Sequence, residues 1–176
     1  CNIMAQRPRG DREQLAAFVL SAFGDEISDD LETQLGLLRE LDIGFLELRG
    51  AWGVNVLHMS DAQVQAVKAA CQRYGIGISC VASPVGKSPI TDPLDVELAN
   101  LERIFQIART LETHRVRLFS FYPPAASGPA LHEEYIPEAV SRLSRMARLA
   151  QQSRMLLLLE NEKGVVGDTP ERCHTL

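Results

Sequence analysis

Short apolar runs alternate with amphipathic stretches along most of the chain. After each of the first four runs, hydrophobic residues recur every three or four positions, which is the period of a helix buried on one face. The pattern predicts five strand-plus-helix units, the last one incomplete, and therefore an α/β fold with parallel strands. The strands are predicted over residues 18–23, 43–48, 76–82, 116–121 and 155–159.

Capping residues place several helix ends. Ser60 and Gln63 have the spacing of a capping box, and Gly75 is positioned to end the helix that they begin. Pro93 predicts the start of a long helix, and Thr169 predicts an N-cap near the end of the sequence. Residues 1–16 are polar and basic, so we interpret them as a poorly ordered lead-in to a domain over residues 17–176.

Periodicity alone does not distinguish an open sheet from a closed barrel. No GxGxxG or GxxxxGK[ST] motif follows the first strand, which removes the commonest nucleotide-binding interpretation of an open sheet. In either architecture, a site is built from the loops after the carboxyl ends of the strands, and the polar residues of this chain gather there.

Composition and charge exclude several classes of protein. The 176 residues are 45% hydrophobic and 23% charged, which is typical of a globular domain. Eighteen basic against 23 acidic residues give a net charge of −5, which argues against a nucleic-acid binder. No apolar stretch approaches the length of a membrane span. The cysteines lack metal-binding spacing, so we expect reduced thiols in a cytoplasmic protein.

Glu160 is the leading candidate for chemistry. It follows the fifth strand and, with a period of two, shares one face with Leu156 and Leu158. If that face points into a barrel, the carboxylate is partly desolvated and needs a cation or a proton, which indicates metal ligation or acid/base work. Glu162 is the second choice because it lies further into the loop. The alternative is a loop carboxylate that meets solvent.

Glu47 and Arg49 lie on the face of the second strand opposite Leu46 and Leu48. The leucines are expected to pack on helices, so Glu47 and Arg49 point inward. There they can bind the hydroxyls and the acidic group of a substrate, or form a structural ion pair.

Two further residues are candidates for substrate contacts. Lys87 lies in a loop after the third strand and can hold a phosphate or a carboxylate, or be solvated. Trp52 can form an apolar wall for a sugar ring or plug the end of a barrel. We expect a structural role for Arg117, which lies early in its strand on the side away from the site. The four histidines are expected on the surface or in loops.

Four motifs together resemble the sugar phosphate isomerase/epimerase family, which is the xylose isomerase-like group of TIM barrels. They are FGDEIS at 23–28, LELRG at 46–50, SPVGK at 83–87 and LENEKG at 159–164, the last followed by GDTPE at 167–171. The resemblance extends from about residue 18 to residue 176. It implies a (β/α)8 barrel of which the first five βα units are present.

The resemblance also implies an activity. Family members bind one divalent metal ion, often Mn²⁺ or Mg²⁺, and isomerise or epimerise a sugar or sugar phosphate by proton transfer through an enediolate. Their usual ligands are a Glu, an Asp, a His and a Glu after strands five to eight. Glu160 matches the first, and the other three would lie beyond Leu176, so this fragment by itself is expected to be inactive. Homo-oligomerisation stays open.

Two alternatives share this fold. An endonuclease IV-like phosphodiesterase would carry metal-binding histidines after strands three and four, where this sequence has Ser83-Pro84 and residues 120–122 (SFY). A non-catalytic barrel that binds sugars or a partner is the other alternative, and an incomplete set of carboxylates would favour it.

Overall fold

The computed structural model describes residues 18–124 and 131–176, so the lead-in predicted over residues 1–16 lies outside the described residues. The strands of the described part are β1 (Ser21–Phe23), β2 (Phe45–Leu48), β3 (Gly50–Ala51), β4 (Val54–Asn55), β5 (Gly77–Ala82), β6 (Arg115–Leu118) and β7 (Leu156–Leu159). Five of them form one sheet in the order β1-β2-β5-β6-β7, and every neighbouring pair is parallel. The predicted α/β fold with a parallel sheet is therefore confirmed. A separate antiparallel hairpin joins β3 to β4.

Helices alternate with the strands of the main sheet along the chain, and the last helix follows β7. They are α1 (Leu31–Glu40), α2 (Asp61–Tyr74), α3 (Leu94–Thr110), α4 (Leu131–Glu134), α5 (Ile136–Ser153) and α6 (Pro170–Thr175). The apolar faces of α1, α2, α3 and α5 pack on one face of the sheet. On that face Leu46 and Leu48 are fully buried, as the alternation in the second strand predicts. None of the helices in the described part of the chain is long and apolar enough to cross a membrane.

The described residues leave the other face of the sheet uncovered, and we call it the open face. Leu156 and Leu158 expose 47% and 38% of their surface, whereas Leu157 and Leu159 pack against the core. The neighbouring face of β2 carries Phe45, which is 37% exposed. In a closed barrel these side chains would face the interior, which packed side chains fill, so a site would be built where this face ends, at the carboxyl edge of the strands.

The first strand is shorter than predicted. Residues 18–20 lie outside it, and their side chains are exposed. Among the described residues β1 pairs only with β2, and that pairing begins where Ser21 meets Phe45. Three apolar residues without a partner strand therefore do not extend the ladder.

The buried stripe of α5 also differs from the simple hydrophobic pattern. Arg142 is buried, with its Nε 2.7 Å from Glu138 Oε1 and its guanidinium 5.3 Å from the centroid of the Phe121 ring. Another guanidinium nitrogen donates to the Asp92 carbonyl at 2.8 Å. The face of α5 that packs on the protein core therefore includes a paired arginine as well as apolar residues.

The predicted helix caps are confirmed. Ser60 accepts a hydrogen bond from Gln63 N and the Gln63 side chain accepts one from Ser60 N, which completes the capping box of α2. Gly75 ends this helix with φ +68°. The Thr169 side chain accepts from Arg172 N at the start of α6.

Replacing Ser60 by alanine is expected to lower the free energy of unfolding by about 1 kcal/mol, because the first turn of α2 loses its side-chain acceptor. The measurement is urea denaturation at neutral pH. Ser141→Ala is the matched control, since Ser141 is exposed within α5 and alanine favours a helix interior by a few tenths of a kcal/mol. Equal losses in the two variants would contradict a capping role for Ser60.

Candidate functional site

The parallel strands all end at one edge of the sheet, and the loops after them carry the candidate side chains. Asp25 and Glu26 follow β1, Arg49 follows β2, Lys87 follows β5, and Glu160 follows β7. The structure links these residues through ion pairs and aromatic rings. This is the edge at which sites form in parallel α/β proteins.

Glu160 continues the pairing of β6 and β7 by one residue, because its backbone N–H donates to the Leu118 carbonyl at 3.0 Å. Its Oε2 accepts a hydrogen bond from an Arg117 guanidinium nitrogen at 3.2 Å. Arg117 is the register partner of Leu158, and partners in adjacent strands point to the same face of a sheet. Arg117 and Glu160 therefore share the open face.

The expectation that Arg117 points away from the site is wrong. Val116 and Leu118 are buried against the helices, so alternation places Arg117 on the opposite face, and its side chain is long enough to reach the carboxyl ends of the strands. Its second terminal nitrogen donates to the carbonyls of Ala82 and Ser83 at 3.1 and 3.2 Å. The alternation around residue 117 is the sequence signal that could have found it.

Two phenylalanine rings connect the cations of this edge. The Arg117 guanidinium carbon lies 4.6 Å from the Phe119 centroid and 5.6 Å from the Phe23 centroid. Arg49 lies 5.0 Å from the Phe23 ring, and Lys87 Nζ lies 4.4 Å from the Phe119 ring. These distances are those of cation–π contacts, so each of the three cations packs on at least one of the two rings.

Arg49 pairs with the loop after β1 and not with Glu47. Its Nε donates to Asp25 Oδ2 at 2.7 Å, and a terminal nitrogen donates to Glu26 Oε1 at 3.2 Å. The hydrogen bond that Arg49 donates to Asp25 raises the pKa of Arg49 above its usual range. Glu47 is half-buried and lines a cavity of about 430 Å³ on the open face, together with Leu158.

Lys87 is paired with a carboxylate. Its Nζ lies 2.6 Å from Glu162 Oε2, and the Tyr122 hydroxyl donates to Glu162 Oε1 at 3.5 Å. Glu162, the second choice for a metal ligand, therefore already has two partners. Lys87 stays about one-third exposed, so a substrate can still approach its ammonium group.

Trp52 lies in the tight turn of the β3–β4 hairpin. It has φ +56° and is followed by Gly53 with φ +68°, a pair of left-handed residues that suits a two-residue hairpin turn. The Trp52 backbone N–H donates to the Asp29 carbonyl, and its side chain is partly exposed. A role as a wall for a sugar ring stays a prediction.

The described residues form no complete metal site, and metal ligation by Glu160 stays a prediction. Within residues 18–124 and 131–176, no three His, Cys, Asp or Glu side chains gather closely enough to hold a metal. Glu160 Oε2 accepts from Arg117, whereas the described residues provide no hydrogen-bond donor for Oε1. A carboxylate on a side chain that is 40% exposed, with one oxygen that accepts from no described residue, is compatible with a single ligand position of a divalent ion.

His132 departs from the expectation of a surface position. It is buried, and its Nδ1 lies 3.4 Å from Asp168 Oδ2, while Asp168 also forms an ion pair with Arg172. Asp168 lies in the loop after β7, so this loop contacts α4, the short helix that carries His132. His58, His114 and His174 are exposed, as expected. No local pattern around residue 132 indicates this contact, which depends on a loop some 36 residues further along the chain.

Comparison with known proteins identifies a family that matches this chain. The family described as "xylose isomerase-like TIM barrel" matches residues 35–176. A magnesium complex of a xylose isomerase-like TIM barrel protein from Mycobacterium smegmatis is 18% identical, with a TM-score of 0.60 over 81% of this chain and 50% of that chain. A D-tagatose 3-epimerase-like protein is 21% identical, with a TM-score of 0.64 over 89% of this chain and 58% of that chain.

A third solved structure, D-psicose 3-epimerase in the presence of D-fructose, is 15% identical, with a TM-score of 0.56 over 78% of this chain and 50% of that chain. At these identities the likeness shows the fold. The chain spans about half the length of the solved structures that it matches. No curated protein sequence matches it.

Proposed function

Because the chain belongs to the xylose isomerase-like TIM barrel family, we propose that the protein is a metal-dependent sugar isomerase or epimerase in which Glu160 is a metal ligand. The observation that carries this proposal is the position of Glu160. It lies directly after β7, at the carboxyl edge of the sheet, with one carboxylate oxygen held by Arg117 and the other without a partner among the described residues.

The structural neighbours support a sugar as the substrate. They include a D-tagatose 3-epimerase-like protein, a D-psicose 3-epimerase with D-fructose and a D-allulose 3-epimerase in complex with D-allulose. We propose a ketose or a ketose phosphate for this protein. Four residues are the candidates for binding it. Glu47 lies on the open face of the sheet, and the other three follow the carboxyl ends of β2 and β5: Arg49, Trp52 and Lys87.

The proposed chemistry is movement of a proton on the carbon next to a carbonyl. A bound Mn²⁺ or Mg²⁺ would supply polarisation of the substrate oxygens. Glu160 would hold the ion through its free oxygen and exchange the proton, and Arg117 would fix its carboxylate. In a barrel of the neighbours' length, we propose that further βα units would supply the remaining ligands.

The test uses the complete protein that carries this chain. After dialysis against a chelator, we expect turnover of D-fructose or D-tagatose to fall and to return when Mn²⁺ or Mg²⁺ is added. Incorporation of solvent deuterium into the recovered sugar reports the proton transfer independently of product assay. Turnover that resists chelation would contradict metal dependence, and sugar binding without deuterium exchange would favour the non-catalytic barrel.

A further inference from the structure

The structure assigns Arg117 a role that the sequence pattern did not suggest: we propose that it is a positioning residue, which holds the Glu160 carboxylate in the orientation of a one-oxygen metal ligand. This inference rests on the proposed function of Glu160. The contact that carries it is the hydrogen bond of 3.2 Å from the Arg117 guanidinium to Glu160 Oε2.

Arg117 is far more constrained than the side chain that it holds. Its side chain is 8% exposed, whereas that of Glu160 is 40% exposed. Two backbone carbonyls, those of Ala82 and Ser83, fix one end of the guanidinium, and the rings of Phe23 and Phe119 lie within 5.6 Å of its central carbon. A fixed cation beside a partly exposed carboxylate restricts the rotamers of the carboxylate and not the reverse.

The two oxygens of Glu160 are left in different situations. Oε2 is occupied by Arg117, and Oε1 has no hydrogen-bond partner in the described ranges. A carboxylate held at one oxygen presents the other in a defined direction, as the hydrogen-bonded carboxylates around metal sites do. The arrangement therefore favours ligation through Oε1 alone.

A purely structural role explains Arg117 less well. Its Nε is buried and has no acceptor in the part of the chain that the structure describes. Burial of an incompletely bonded cation works against stability, and the bonds to the Ala82 and Ser83 carbonyls use only one of its three nitrogens. The position of the guanidinium is therefore better explained by what it does to Glu160.

The experiment measures Mn²⁺ affinity by electron paramagnetic resonance in the complete protein. Arg117→Met is expected to weaken Mn²⁺ binding by about 10- to 100-fold, which is the effect of losing a residue that orients a metal ligand. Arg117→Lys, which keeps the charge, is expected to recover part of that loss. Arg115→Met is the matched control, because Arg115 lies on the same face of β6 two residues earlier, and it should bind Mn²⁺ like the unmodified protein.

The outcomes separate this inference from the proposed function. Wild-type affinity in Arg117→Met, together with weak binding in Glu160→Gln, overturns the positioning role and leaves Glu160 as a ligand. Wild-type affinity in Glu160→Gln, or no Mn²⁺ binding by the unmodified protein, overturns both. If Arg117→Met does not fold, Arg117→Lys and Arg117→Gln decide the question: a graded loss supports positioning, and unchanged affinity in both refutes it.

Discussion

Replacing Gly86 by alanine is expected to lower the free energy of unfolding by about 2–5 kcal/mol, from left-handed backbone strain and from overpacking. Gly86 has φ +82°, a region that side chains with a Cβ rarely adopt. A Cβ at this position would lie 2.1 Å from the Phe119 carbonyl oxygen, so backbone atoms must move to admit it. The surrounding hydrogen bonds resist that movement, because Phe121 N donates to the Gly86 carbonyl at 2.8 Å and Phe119 N donates to Val85 O at 2.9 Å.

Gly53→Ala separates the two causes. Gly53 also has a left-handed φ, of +68°, but a Cβ there would meet no atom within 4 Å. We expect it to cost about 1–2 kcal/mol, the cost of strain alone. Urea denaturation of both variants gives the comparison. Equal losses of unfolding free energy would show that the close approach to Phe119 adds no cost of its own. A larger loss for Gly86→Ala would show that the backbone around Phe119 does not move to admit a Cβ.

Much of the fold can be predicted from local patterns, because each strand and helix has its own alternation of apolar residues or its own capping residues. Alternation in the second strand places Leu46 and Leu48 on the helices, and the Ser60 capping box starts α2 where the sequence predicts. The beginning of β1 was not predictable in this way. It depends on where β2 offers hydrogen-bonding partners, which is a property of the pair of strands and not of residues 18–20.

The candidate site is less predictable because its contacts join loops that are distant in the sequence. The inward position of Arg49 follows from alternation, but its partner, Asp25, lies 24 residues earlier. Lys87 likewise pairs with Glu162, a contact between the loops after β5 and β7. Spacing shows which residues can reach the carboxyl edge of the sheet. Which cation pairs with which carboxylate depends on where the sheet places the loops relative to one another, and the spacing of residues along the chain does not show this.

Replacing Glu160 by glutamine is expected to lower kcat/KM by about 10²- to 10⁴-fold in the complete protein, the usual effect of removing a group that transfers a proton. Glutamine keeps the size of the side chain and can still accept a hydrogen bond from Arg117. It removes the negative charge that a divalent ion prefers and cannot accept a proton as a carboxylate does. Steady-state kinetics with a ketose and Mn²⁺ titration of the same variant are the measurements.

Glu162→Gln is the control that decides between the two carboxylates of this loop. Glu162 is held by Lys87 and Tyr122, so its replacement removes an ion pair at the rim and is expected to lower kcat/KM by less than about tenfold. The opposite ranking, with a severe loss in Glu162→Gln and a mild one in Glu160→Gln, would move the proposed ligand two residues further along the loop. In that case Lys87 would be the cation beside the metal ligand, and the pair of Arg117 with Glu160 would be a structural support behind it.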